Sequence, residues 1–194
     1  MSRPVVGVLL LACLAVCGVA QGAPVQWPIG VGGNGHFYEP VAAGLSWTEA
    51  SAAATAAGGY LATITSEAEG DFVFSLVADK PELWEFHNNG WYGPWLGGFQ
   101  PPGSAEPDGD WQWVTGEPFS YTNWTAGEPN QWEGWEEDCL RYKQKGSTLG
   151  PEWNDEVDSP TVTPPTGYVI EIPEPATLSL LAVGGLLLFR RRQK

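Results

Sequence analysis

Residues 111–139 read WQWVTGEPFSYTNWTAGEPNQWEGWEEDC, and after a short basic interval residues 151–155 read PEWND. Trp111, Trp113, Trp124, Trp132, Trp135 and Trp153 are interleaved here with Glu, Asp and Asn. Tryptophan buries a large apolar area, whereas carboxylates and amides resist burial unless paired or bound to a cation. Aromatic anchors between oxygen donors therefore describe loops pinned to a core and closed around a hard metal ion. Glu128-Pro129-Asn130 sets two oxygen-bearing side chains on either side of a proline, whose preceding bond can be cis, a form that would turn both toward one point. Glu136-Glu137-Asp138 and Asn154-Asp155 follow, beside Trp135 and Trp153. Oxygens from three loops suit Ca2+, which takes several such donors in adaptable geometry. Zinc is disfavoured, because His36 and His87 are far apart and no second cysteine accompanies Cys139.

Outward from this stretch, the chain has 194 residues, enough for one domain with a real core. Its formal charge is -14, and of nine Lys and Arg only Lys80, Arg141, Lys143 and Lys145 lie away from the two ends. Such a body repels phosphates and anionic lipid, which excludes nucleic acid as a partner and favours divalent cations or neutral ligands. Cys13 and Cys17 fall in an apolar leader, so Cys139 is left as a small buried residue or a free thiol.

Both ends read as addresses. Arg3, the apolar run from Val5 to Val19 and the small residues after it have the anatomy of a signal peptide, assigned to residues 1–20. At the other end Pro173-Glu174-Pro175 precedes an apolar stretch from Ala176 to Phe189 and the basic run Arg190-Arg191-Arg192. A simple tail anchor would share the last two features, with its basic end cytoplasmic.

Between them, residues 25–35 are Gly-rich and aperiodic and read as a loop, and His36 to Glu39 as a first strand. Ser46-Trp47-Thr48-Glu49 and Ser66-Glu67-Ala68-Glu69 are two capping boxes, each opening a helix; Gly58-Gly59 stops the first and Pro81 ends the second. Strands are expected at Tyr60 to Ile64, Trp91 to Phe99, Trp111 to Val114, Leu140 to Tyr142 and Gly167 to Glu171. Two helices followed by short strands define an α+β domain with an antiparallel sheet.

The body from His36 to Glu171 resembles a C-type lectin-like domain, and the domain is assigned to residues 30–172. Trp95-Leu96-Gly97-Gly98 matches the family's core motif, Trp111, Trp113 and Asn123-Trp124 follow in the expected order, and Glu128-Pro129-Asn130 and Trp153-Asn154-Asp155 match its calcium motifs. The resemblance implies a calcium site made by Glu128, Asn130, Glu137, Asn154 and Asp155, with Glu136 or Glu133 able to replace Glu137 if the register shifts. It further implies that sugar hydroxyls complete the ion's shell while Glu128, Asn130, Glu137 and Asn154 hydrogen-bond them, in the geometry of mannose, fucose, glucose or N-acetylglucosamine. Trp132 then either stacks on a sugar face or packs its own loop. Gln131 stands where an auxiliary calcium site needs an acid, so no second site is expected. The tail, residues 173–194, resembles a PEP-CTERM sorting signal, which implies a Gram-negative bacterium, processing by an exosortase, at least transient membrane attachment by the C-terminal helix, and an extracellular or cell-surface destination. A secreted calcium-dependent lectin for a glycan or exopolysaccharide is the leading reading; a matrix or adhesion protein with a protein partner is the alternative. Adjacent acids such as Glu136 and Glu137 do not make the opposed pair of a glycosidase, and no enzyme is read.

Overall fold

The computed structural model describes residues 22–145, 148–159 and 166–174. The leader, residues 160–165, Pro175 and the apolar C-terminal run lie outside the described residues. The elements in chain order are β1 (Val25–Gln26), β2 (Phe37–Ala42), α1 (Trp47–Ala56), β3 (Tyr60–Leu61), α2 (Glu67–Ser75), β4 (Glu85–His87), β5 (Gly90–Phe99), β6 (Gln112–Trp113), β7 (Cys139–Lys145), β8 (Trp153–Glu156) and β9 (Gly167–Ile172). Among the described residues no helix is long and apolar enough to cross a membrane.

The strands form one sheet in the order β1-β2-β9-β5-β7-β8, with β3 on β9 and both β4 and β6 on β5. The sheet is mixed rather than purely antiparallel, because Trp95 of β5 meets Tyr168 of β9 in parallel while the other pairs are antiparallel. The Gly-rich segment expected as a loop contributes β1, whose Val25 and Gln26 pair with Tyr38 and Phe37. A two-residue strand has no period to read, and its partner supplies the order.

Both helix starts are placed as the capping signals require, but they are built differently. At α1 the Ser46 side chain accepts from the Glu49 N–H and Glu49 returns to the Ser46 N–H at 3.0 Å, a complete box. At α2 the Ser66 side chain accepts from the Glu69 N–H, yet the Glu69 carboxylate accepts from Thr65 N–H at 2.7 Å and from Tyr38 Oη at 2.6 Å. The second box is therefore half formed. Buried Tyr38 outcompetes the cap as a partner, and Glu69 ties α2 to β2 instead.

Trp95, Leu96, Trp113, Leu140, Tyr142 and Trp153 fill the interior and are at most 1 % exposed. The motif glycines serve this packing: a Cβ on Gly97 would lie 2.4 Å from the Leu61 carbonyl oxygen, so β5 approaches β3 only without a side chain there. Trp95 and Trp47 also satisfy their indole N–H groups on the Leu45 and Leu96 carbonyls, at 3.0 and 2.8 Å, which locks α1 to β5. Cys139 is buried and free of any disulfide among the described residues, and burial pushes its thiol well above the usual range. It is a small core residue.

Candidate functional site

The long connection from β6 to β7 is anchored before it reaches its acids. Trp124 bridges Trp153 in parallel, the Thr125 N–H donates to the Trp153 carbonyl at 2.9 Å, and the Trp153 N–H donates to the Asn123 carbonyl at 2.8 Å. Edge-to-face contacts back these bonds: Trp153 meets Trp113 at 5.6 Å and Trp124 at 5.9 Å, and Trp111 meets Trp124 at 4.9 Å. The four tryptophans thus anchor the loop to the core. The loop leaves this anchor in a turn, with Glu128 N–H on the Thr125 carbonyl at 2.9 Å, and the Glu128–Pro129 bond is cis.

Next, β8 holds the loop from below. Asp155 is 1 % exposed, and its Oδ2 accepts from the N–H of Asn130 at 2.7 Å and of Gln131 at 2.9 Å. Gln131 takes a left-handed conformation, φ 47°, which lets both N–H groups face one oxygen. The Trp132 N–H donates to Glu137 Oε2 at 2.5 Å, closing the loop on itself. Asn130 Nδ2 donates to Glu128 Oε2, and Asn154 Nδ2 to the Asp155 carbonyl.

These residues surround one cleft of about 570 Å³. Glu128, Asn130, Glu137 and Asn154 all line it, whereas Asp155 lies beneath them. Glu137, and not Glu136, faces the cleft. Trp132 and Trp135 form its rim and are 62 % and 47 % exposed. Such exposure of large aromatic faces is uneconomical for packing alone and fits a flat apolar ligand face.

The charges in the cleft are unsettled. Burial, with repulsion from Asp155 behind it, raises the Glu137 carboxyl to about 7 despite the Trp132 N–H. Burial likewise raises Asp155 to about 6 against the help of its two backbone donors. Asp155 Oδ1 is buried and has no hydrogen-bond partner among the described residues. Hard oxygens, excess negative charge and an unpartnered buried carboxylate oxygen are what a divalent cation would relieve, so the donor set fits Ca2+.

Three lining residues escape a reading of the sequence. Lys143 donates from Nζ to Glu128 Oε1 at 3.0 Å and to Asn154 Oδ1 at 2.6 Å. Burial opposes its charge, but Tyr92 and Glu128 outweigh that and raise its pKa. Tyr92 lies under Lys143, with Nζ 5.0 Å from the ring centroid, and stacks on His87 at 3.9 Å. The available signal was the period of two in β7, which puts Arg141 and Lys143 on one face, where Arg141 pairs with Asn154 of β8 and the Lys143 N–H meets the Glu152 carbonyl. Elsewhere, among the described residues, Glu106, Glu136 and Asp138 bring carboxylate oxygens within 4.8 Å of one another. Burial, then mutual repulsion, raises Glu106 and Asp138. At the chain's end Gln26 Nε2 donates to Glu174 Oε1 at 2.7 Å, setting the sorting-motif glutamate beside β1.

A sheet core with a tryptophan-pinned acidic loop is a C-type lectin arrangement, and the family model described as Lectin C-type domain matches residues 43–160. The chain belongs to that family. It also matches the PEP-CTERM protein-sorting motif over residues 171–193. Among individual proteins it is 31 % identical over 172 residues to a perlucin-like protein of Mytilus galloprovincialis, covering 85 % of this chain and 96 % of that one. Solved structures agree on the fold. The C-type lectin domain of murine dendritic cell inhibitory receptor 2, determined in complex with N-glycan, superposes with TM-score 0.52 at 25 % identity, covering 72 % of this chain and 91 % of that one. Herring type II antifreeze protein superposes with TM-score 0.54 at 23 % identity, covering 73 % and 94 %.

Proposed function

We propose that the protein is an exported, calcium-dependent lectin that binds glycan in the cleft beside Glu128-Pro129-Asn130. Glu128, Asn130, Glu137, Asn154 and Asp155 would hold the ion, which supplies a Lewis-acidic seat for a pair of sugar hydroxyls. The chain's own residues do the rest. Glu128 and Glu137 accept from the hydroxyls, Asn130 and Asn154 donate their amides to them, and Asp155 fixes the loop by taking the Asn130 and Gln131 N–H groups. Trp132 on the rim offers a ring face to the apolar side of the sugar. Glu-Pro-Asn favours mannose, fucose, glucose or N-acetylglucosamine over galactose. The observation that carries this reading is the gathering of four of the five named residues on one cleft rimmed by exposed tryptophan.

Residues 1–20 act as a leader, 30–172 as the binding domain and 173–194 as the sorting segment, with exosortase-type processing at Pro173-Glu174-Pro175. Membrane attachment by the C-terminal segment precedes that processing, and the destination is the cell surface or the medium of a Gram-negative bacterium. The glycan is then the cell's own exopolysaccharide or a foreign one. Retention of the domain on a broad glycan panel, with calcium and then with chelator, tests the proposal. Binding that chelator abolishes is expected, and no retention anywhere with calcium present sinks the lectin reading.

A second reading has one specific observation behind it. Lys143 already engages Glu128 and Asn154, as suits a matrix or adhesion module that binds a protein and needs no ion. A melting temperature indifferent to both calcium and chelator favours that reading.

A further inference from the structure

We propose that Lys143 is the cleft's built-in cation, holding the Glu128 and Asn154 oxygens that calcium must take, so that the ion binds by displacing the Lys143 ammonium. The inference rests on the calcium-site reading of the cleft. Its basis is geometric. Nζ lies 3.0 Å from Glu128 Oε1 and 2.6 Å from Asn154 Oδ1. Calcium binds oxygens at roughly 2.3–2.6 Å, so an ion touching both oxygens would compete with Nζ for the two atoms it now holds. A divalent ion and an ammonium do not share that pair of oxygens, because both need their lone pairs and they repel at contact distance. One leaves when the other arrives.

The frame is built for a side-chain exchange. The Lys143 main chain is fixed by its N–H on the Glu152 carbonyl at 2.9 Å and by Thr125 Oγ1 on its own carbonyl oxygen. Its Nζ sits over the Tyr92 ring, and it lines the cleft together with the exposed Trp132 and Trp135. The four-carbon stem can swing the charge out without moving β7. Without metal, Lys143 keeps Glu128 and Asn154 together, so the loop has a second resting state. With metal, its loss from the pair is a cost that lowers calcium affinity. Lys143 is therefore an affinity-setting residue of the site.

Calorimetric titration of calcium chloride into the full chain, its Lys143→Met and Lys143→Gln variants, and the charge-conserving Lys143→Arg variant tests this. A charge-assisted hydrogen bond is worth enough that either neutral variant should bind calcium about tenfold tighter or more, while Lys143→Arg stays near the parent. In chelator the neutral variants should melt lower than the parent, and calcium should raise their melting temperature further. Calcium binding to the neutral variants no tighter than to a calcium-binding parent overturns the proposal and leaves the calcium site standing. No binding by any variant overturns both. Binding by the neutral variants alone upholds the exchange and contradicts calcium dependence in the natural chain. If Lys143→Met fails to fold, Lys143→Gln, which can still hydrogen-bond Glu128 and Asn154, decides.

Discussion

Asp155 carries two duties with its two oxygens. Oδ2 organises the loop through Asn130 and Gln131, and Oδ1 is buried with no partner among the described residues. Asp155→Asn keeps the volume but loses charge and one acceptor, so calcium affinity should fall by about two orders of magnitude in calorimetry, as for loss of a metal ligand or its support. Glu137 gives a pH prediction. Its folded carboxyl sits near 7 against 4.5 unfolded, and that of Asp155 near 6 against 3.8. Between those values only the folded chain holds the proton, so stability is fully present at low pH and is lost as pH rises through the folded values. The chelated protein should melt higher at pH 5.5 than at pH 8, and Glu137→Gln should flatten the slope. At this scale the sequence was informative about oxygens and silent about Lys143. A lone lysine reads as solvated until the fold brings its Nζ to Asn154 Oδ1, and that contact is a tertiary fact.

Among the elements, β8 and the two helices show what local signals can and cannot carry. Both N-caps were legible because Ser and Glu stand three residues apart, a spacing that acts within one turn. That Glu69 would desert its cap for Tyr38 was not legible, since Tyr38 lies 31 residues away in sequence. Nor did WNDE announce itself as strand β8: three of its four residues are polar and buried, and its order comes from pairing with β7 and from the Asn123 and Thr125 backbone. These differences predict different costs. Ser46→Ala should destabilise the fold by about 1 kcal/mol in denaturant titration, the usual value of an N-cap. Glu69→Ala should cost more, because it strands the buried Tyr38 hydroxyl and Thr65 N–H as well as the cap region. Trp153→Ala should cost about 3–5 kcal/mol and release the site loop with it, since the same side chain packs the core and the Trp124 turn.

Across the whole molecule, a formal charge of -14 with four basic residues in the body leaves a strongly acidic surface. Self-repulsion of this kind makes divalent ions broadly favourable, so a calcium-induced rise in melting temperature alone would not locate the ion. The acidic trio Glu106, Glu136 and Asp138 is the obvious competitor. The family, the tryptophan frame and the C-terminal sorting motif were legible in the sequence because each is a linear motif. The mixed sheet was not, because the β5–β9 contact joins segments more than seventy residues apart. The account stands or falls on where the ion goes. A crystal structure of the calcium-loaded protein should place one ion in the cleft, with oxygens of Glu128, Asn130, Glu137, Asn154 and Asp155 at roughly 2.3–2.6 Å and Lys143 Nζ withdrawn from Glu128. An ion bound at Glu106, Glu136 and Asp138 alone, with Lys143 still on Glu128 and Asn154, would contradict it.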